Sequence, residues 1–104
     1  MKFKYILFSL AFISGYLYSN DIMSKENCLL YQDKLTQAMR DSEYSYNIKN
    51  EKDFKKFIDI EIKAISDFNE NKCYLHFPEP EKLKQNGENV IKALYKVRNK
   101  GIVR

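Results

Sequence analysis

The chain has no tryptophan, three glycines, two prolines, two cysteines and a single histidine. So few glycines and prolines exclude a loop-rich or many-turned β fold, because tight turns need residues that accept unusual backbone angles. The cysteines are too sparse for a metal ribbon. Cys28 and Cys73 stand 45 residues apart. With His76 they offer three ligands at most, one short of a closed structural zinc site. The same spacing excludes a C-x-x-C redox pair. A catalytic histidine needs a nucleophile and an orienting partner, and His76 has neither in prospect once Cys73 is oxidised. No P-loop, dinucleotide fingerprint, H-E-x-x-H or nucleophile elbow occurs. No enzyme activity, cofactor or metal is therefore expected. At 104 residues the chain makes one domain, too small for a barrel or a doubly wound sheet.

What is present begins with a leader. Lys2 and Lys4 precede an uncharged run from Tyr5 to Tyr18, after which Asn20 and Asp21 turn the composition polar. A charged start, a short apolar run and a small residue, Ser19, give the anatomy of a secretory signal peptide over residues 1–19. The run falls short of the roughly 20 residues of a spanning helix. Export with cleavage near residue 19, into a periplasm or the extracellular medium, is the expectation. Retention as an N-terminal anchor in the inner membrane is the alternative. In an oxidising compartment an even cysteine count implies pairing, so a Cys28–Cys73 disulfide is expected.

Residues 20–104 read as a single helical domain. Cys28, Tyr31, Leu35, Ala38, Met39 and Ser42 share one side of a helix over about 24–46, capped by Asp21 or Ser24. Over 51–69, Ile58, Ile60 and Ile62 alternate like a strand. The wider window favours a helix: Phe54, Phe57, Ile58, Ile62, Ala64, Ile65 and Phe68 fall on one arc, and Lys55–Asp59, Asp59–Lys63 and Lys63–Asp67 are spaced as i,i+4 ion pairs. Residues 73–77 read as a short extended stretch. A third helix starts near Pro80 with a stripe of Leu83, Val90, Leu94 and Val97. Asn86-Gly87 is a candidate break that would split it, and Gly101 is a candidate terminator with Ile102 folding back. The expected fold is all-α: a small antiparallel three-helix bundle clasped by one disulfide. The clasp follows from length, since two helices of equal rise return Cys73 to the level of Cys28.

Four features are candidates for function. Glu61 sits inside the apolar arc of the second helix and reads as a buried acid with a raised pKa. Leu30 and Tyr44 lie off the apolar face of the first helix. His76 lies beside the disulfide. The fourth is charge. Residues 20–81 carry 9 Lys or Arg against 13 Asp or Glu, whereas residues 82–104 carry 7 against 1. Lys82, Lys92, Lys96 and Lys100 make a basic face suited to an anionic surface or an acidic protein. Nucleic acid is not expected, because no aromatic stacking pattern accompanies the lysines.

These features favour a small exported helical binding or accessory protein, a monomer that acts on an unidentified protein partner without catalysis. In outline the chain also resembles the small acid-stress chaperones of the bacterial periplasm: a leader, Cys28 and Cys73, helices, and a Lys-rich terminal helix. That likeness implies a chaperone that opens in acid. A secreted membrane-active effector is the third class.

Overall fold

Ser24 and Asn50 start the first two helices, each in the manner the sequence allows. The Ser24 hydroxyl accepts from the Asn27 amide, and the Asn50 side chain accepts from the Asp53 amide, so each satisfies a donor that the first helical turn leaves free. The computed structural model describes residues 22–102; the leader and its cleavage site lie outside the described residues. Helix α1 spans Lys25–Asn47, α2 spans Glu51–Glu70, a 3-10 turn spans Cys73–His76, and α3 spans Pro80–Lys100. The described residues form no strand. The protein is a small all-α three-helix bundle closed by a Cys28–Cys73 disulfide, with the two Cα atoms 5.6 Å apart.

Helix α2 is the keystone. It buries Phe54, Ile58, Glu61, Ile62, Ala64, Ile65 and Phe68. Its strand-like Ile58/Ile60/Ile62 alternation is overridden by the longer helical period, and Ile60 ends up half-buried beside Lys34 of α1. Helix α1 contributes only small buried side chains, Cys28, Ala38, Ser42 and Ser45, which let its backbone approach α2 closely. Helix α3 buries no side chain fully. Helices α1 and α3 each pack on α2 and barely touch each other. The Cys28–Cys73 and Ser42–Glu61 contacts make α1 antiparallel to α2. The Lys84–Asn69 and Arg98–Asp59 contacts do the same for α3, and so α1 and α3 run parallel to one another on the same keystone.

Two apolar clusters hold the two ends. At one end, Cys28, Phe68, Cys73 and Tyr74 are buried together, with Met23, Tyr31, Phe77 and Leu83 around them. The Phe68 and Phe77 ring centroids lie 5.9 Å apart. At the other, Phe54, Ile58 and Ile62 pack with Ile102, flanked by Ile91 and Leu94. Ile102 reaches that site because Gly101 adopts φ +73° and ψ −160°, a backbone region essentially confined to glycine that costs another residue about 1–3 kcal/mol. Ile102 thus folds back after Gly101 as the sequence suggests.

Three local expectations change. Residues 73–77 are not extended: Cys73–His76 makes a 3-10 turn, started by Lys72 at φ 57°. This compact turn lets Cys73 and Tyr74 face the core together. Helix α3 is not split at Asn86-Gly87; it runs unbroken. A Cβ on residue 87 would stand 2.9 Å from Asn69 Nδ2 and 3.2 Å from Ile65 Cγ2, so Gly87 serves close approach to α2, not a break. Asn69 consolidates that contact by donating to the Lys84 carbonyl at 3.3 Å. Finally, the face of α3 that meets α2 runs through Leu83, Gly87, Ile91, Leu94 and Arg98, which rotates Val90 and Val97 out of the α2 interface. Both are exposed, at 45% and 42%.

The charge pairs are also redistributed. Lys63–Asp67 forms as spaced. Lys55 turns back to Glu51, and Asp59 leaves its own helix to accept from Arg98 of α3.

Candidate functional site

A groove follows from the way the helices are shared. Because α1 and α3 both pack on α2 and make few contacts with each other, a groove runs between them over a floor on α2 that is itself buried, Ile65 and Phe68 being each 8% exposed. Tyr31 and Leu35 of α1 form one wall, Leu83 and Val90 of α3 the other, and Ile65 and Phe68 of α2 the floor. The pocket between these walls has a volume of 220 Å³ and an almost wholly apolar lining. A cavity of about 150 Å³ with such a lining holds benzene, so this one has room for a single large apolar side chain. The walls continue beyond it. Met39, one turn past Leu35, is 53% exposed, and Val97, two turns past Val90, is bare on the opposite helix. By helical position, apolar side chains therefore recur along both walls beyond the pocket.

Glu61 lies in the α2 face beneath α1 and is only 5% exposed. The Ser42 hydroxyl donates to Glu61 Oε2 at 2.8 Å and is also 3.0 Å from the Met39 carbonyl. A serine hydroxyl has one proton and cannot donate to both. A protonated Glu61 resolves the conflict, because it can donate to Ser42 Oγ while Ser42 donates to Met39. Burial pushes the Glu61 carboxyl above its usual range, and the Ser42 bond pulls it back in part. No cation pairs with it among the described residues.

The other sequence-derived candidates are scattered. Leu30 and Tyr44 are well exposed, but by helical position they occupy the side of α1 turned away from Leu35 and Met39. They do not join the groove. Lys82 is paired with Glu79, whereas Lys92, Lys96 and Lys100 are exposed with no acidic partner among the described residues. Lys96 and Lys100 follow Ala93 and Val97 outward from the groove wall, and Lys92 lies farther round. His76 Nε2 donates to the Met23 carbonyl, which fixes the segment before α1 beside the disulfide and gives the ring a structural task. Both cysteines are consumed in their bond. Among the described residues no cluster of His, Cys, Asp and Glu could hold a metal ion, and no helix is long and apolar enough to cross a membrane.

No family model, curated protein or solved structure matches this chain.

The groove itself was not foreseeable from single helices. Its one trace in the sequence is the breadth of the α3 apolar arc. Leu83, Val90, Ile91, Ala93, Leu94 and Val97 cover more of the wheel than one neighbour can bury.

Proposed function

We propose that this is an exported, non-catalytic binding protein that captures one amphipathic helix of a protein partner in the groove between α1 and α3. One observation carries the reading: an apolar groove with a 220 Å³ pocket, in line by helical position with the exposed side chains of Met39 and Val97. A fourth helix laid there would complete a four-helix bundle, a packing in which each helix meets two neighbours. Export is supported by Lys2, Lys4 and the apolar run after them, and by a disulfide, which is common in oxidising compartments and rare in reducing ones. Absence of catalysis is supported by the engagement of His76 with a backbone carbonyl and by the oxidation of both cysteines.

Site-specific photocrosslinking in the native compartment tests it. A photoreactive residue at Val90 should give one discrete protein adduct. The same residue at Lys56, on the far side of α2, should give none. Equal adducts from both positions, or none from Val90, would remove the groove as the binding site.

The acid-chaperone reading is favoured by one feature, the shallow attachment of α3. It is disfavoured by Glu61, whose protonation stabilises the closed state as the pH falls.

A further inference from the structure

The groove is apolar on both walls, but its two rims differ in charge. On α3, Ala93 and Val97 are followed outward by Lys96 and Lys100, whose charges are unpaired among the described residues. On α1, the residues that follow Leu35 and Met39 outward are Thr36, Arg40 and Glu43, a rim with no net charge. Orientation is constrained as well. Helices α1 and α3 run parallel, so a helix antiparallel to both meets two favourable dipole alignments, and a parallel one meets none. An antiparallel occupant places its N-terminal turns at the Lys96–Lys100 end. Acidic side chains in those first turns are favoured by the occupant's own dipole and meet Lys96 and Lys100.

Resting on the groove reading above, we infer that the occupant is an amphipathic helix that lies antiparallel to α1 and α3, seats a large apolar anchor between Leu35, Ile65 and Val90, and carries its acidic residues in its N-terminal half on the α3 side. The charge pairing sets which apolar helix is accepted; the channel alone would admit many.

Two synthetic helices test this against the exported, oxidised chain by fluorescence anisotropy. Both carry the same Leu/Phe stripe. One has Glu and the other Lys at the N-terminal flank positions that would face Lys96 and Lys100. Two partly exposed ion pairs favour the Glu peptide by about five-fold or more at low ionic strength, and salt should shrink the ratio. The pair Lys96→Glu and Lys100→Glu should reverse the preference. Val90→Glu, at an exposed position that leaves folding intact by circular dichroism, should abolish binding of both peptides. A photoreactive group at the N-terminus of the Glu peptide should label residues near Lys96, and one at its C-terminus residues near Leu83.

If both peptides bind equally, and Val90→Glu still abolishes binding, the groove stands and the acidic partner is wrong. Labelling in the opposite order overturns the orientation. If neither peptide binds, the groove reading falls with it. Self-association of the chain abolished by Val90→Glu would make a second copy the occupant. Binding that disappears only when residues 1–21 are retained would give the groove to this chain's own leader.

Discussion

Breaking the Cys28–Cys73 bond should cost this protein more than any other single change. The bond spans 45 residues of sequence and encloses nearly all of α1 and α2. In the chain-entropy account, closing a loop of that length removes roughly 4 kcal/mol of freedom from the denatured chain. A domain of this size has a total stability of about 5–8 kcal/mol. Burial strengthens the expectation. Both cysteines are fully buried beside Phe68 and Tyr74, so alanine at either position also leaves space that Met23, Tyr31 and Leu83 must fill. Cys28→Ala, Cys73→Ala and the double variant should each lose about 4 kcal/mol in urea denaturation, with similar midpoints, because a single shared bond is lost in all three. The dependence on urea should steepen, since an uncrosslinked denatured chain exposes more surface. A reductant should reach the sulfurs of the native protein only as fast as that end of the bundle opens. A loss below about 1 kcal/mol, or additive losses in the double variant, would refute the reasoning. Thiols that react at once in the folded protein would also do so.

Glu61 has a carboxyl pKa raised by burial, so the folded state holds its proton more tightly than the unfolded state. Its stabilising contribution is full below the ordinary carboxyl range and is lost as the pH rises through the folded value. Glu61→Gln should therefore flatten the fall in melting temperature over that range, and a difference between the two proteins that does not vary with pH would contradict it. Glu61→Leu should gain about 1 kcal/mol at neutral pH, because Ser42 keeps the Met39 carbonyl as acceptor and the buried acid is removed; a lowered melting temperature would show that the Ser42 contact is needed. Gly87→Val should cost about 1–3 kcal/mol through overpacking against Asn69 and Ile65, and unchanged stability would mean that α3 stands off from α2. Ile102→Ala should cost about 2–4 kcal/mol, read by thermal melting; a negligible change would mean that Ile102 does not plug the Phe54 cluster.

The helices were legible because each obeys a strong local rule. Ser24 and Asn50 are capping residues, Pro80 suits a first turn, and the period of Phe54 to Phe68 outweighs three alternating isoleucines. The disulfide was legible from an export signal, an even cysteine count and two helices of equal rise taken together. Rotation of α3 was not, because an apolar arc states which residues avoid water but not which neighbour covers them. The reading of Gly87 failed for a related reason: a glycine that breaks a helix and one that lets two helices touch look the same until the second helix is in place. The channel required both facts, and so appeared only in three dimensions. Glu61 was found from its position between Phe57 and Phe68, but its hydroxyl partner on α1 depended on the facing register.

Helix α3 is held by half-buried contacts, by the Ile102 plug and by the Asp59–Arg98 pair, while the covalent clasp belongs wholly to α1 and the turn after α2. Its connection to the rest is the stretch Phe77 to Glu79 between the turn and Pro80. A segment held this way opens at a lower free energy than the whole domain, and what it leaves uncovered on α2 (Ile58, Ile62 and Ile65) fits the α3 of any second molecule equally well. Two chains that open together can exchange these arms and close again with every native contact restored across the pair, the economy that makes domain swapping common. Warming a concentrated sample and cooling it slowly should therefore yield a dimer that survives dilution in the cold and reverts on rewarming. A chain with α3 tethered to α2 by a second engineered disulfide should remain a monomer. Dimers of equal yield from the tethered chain would show that they form by another route.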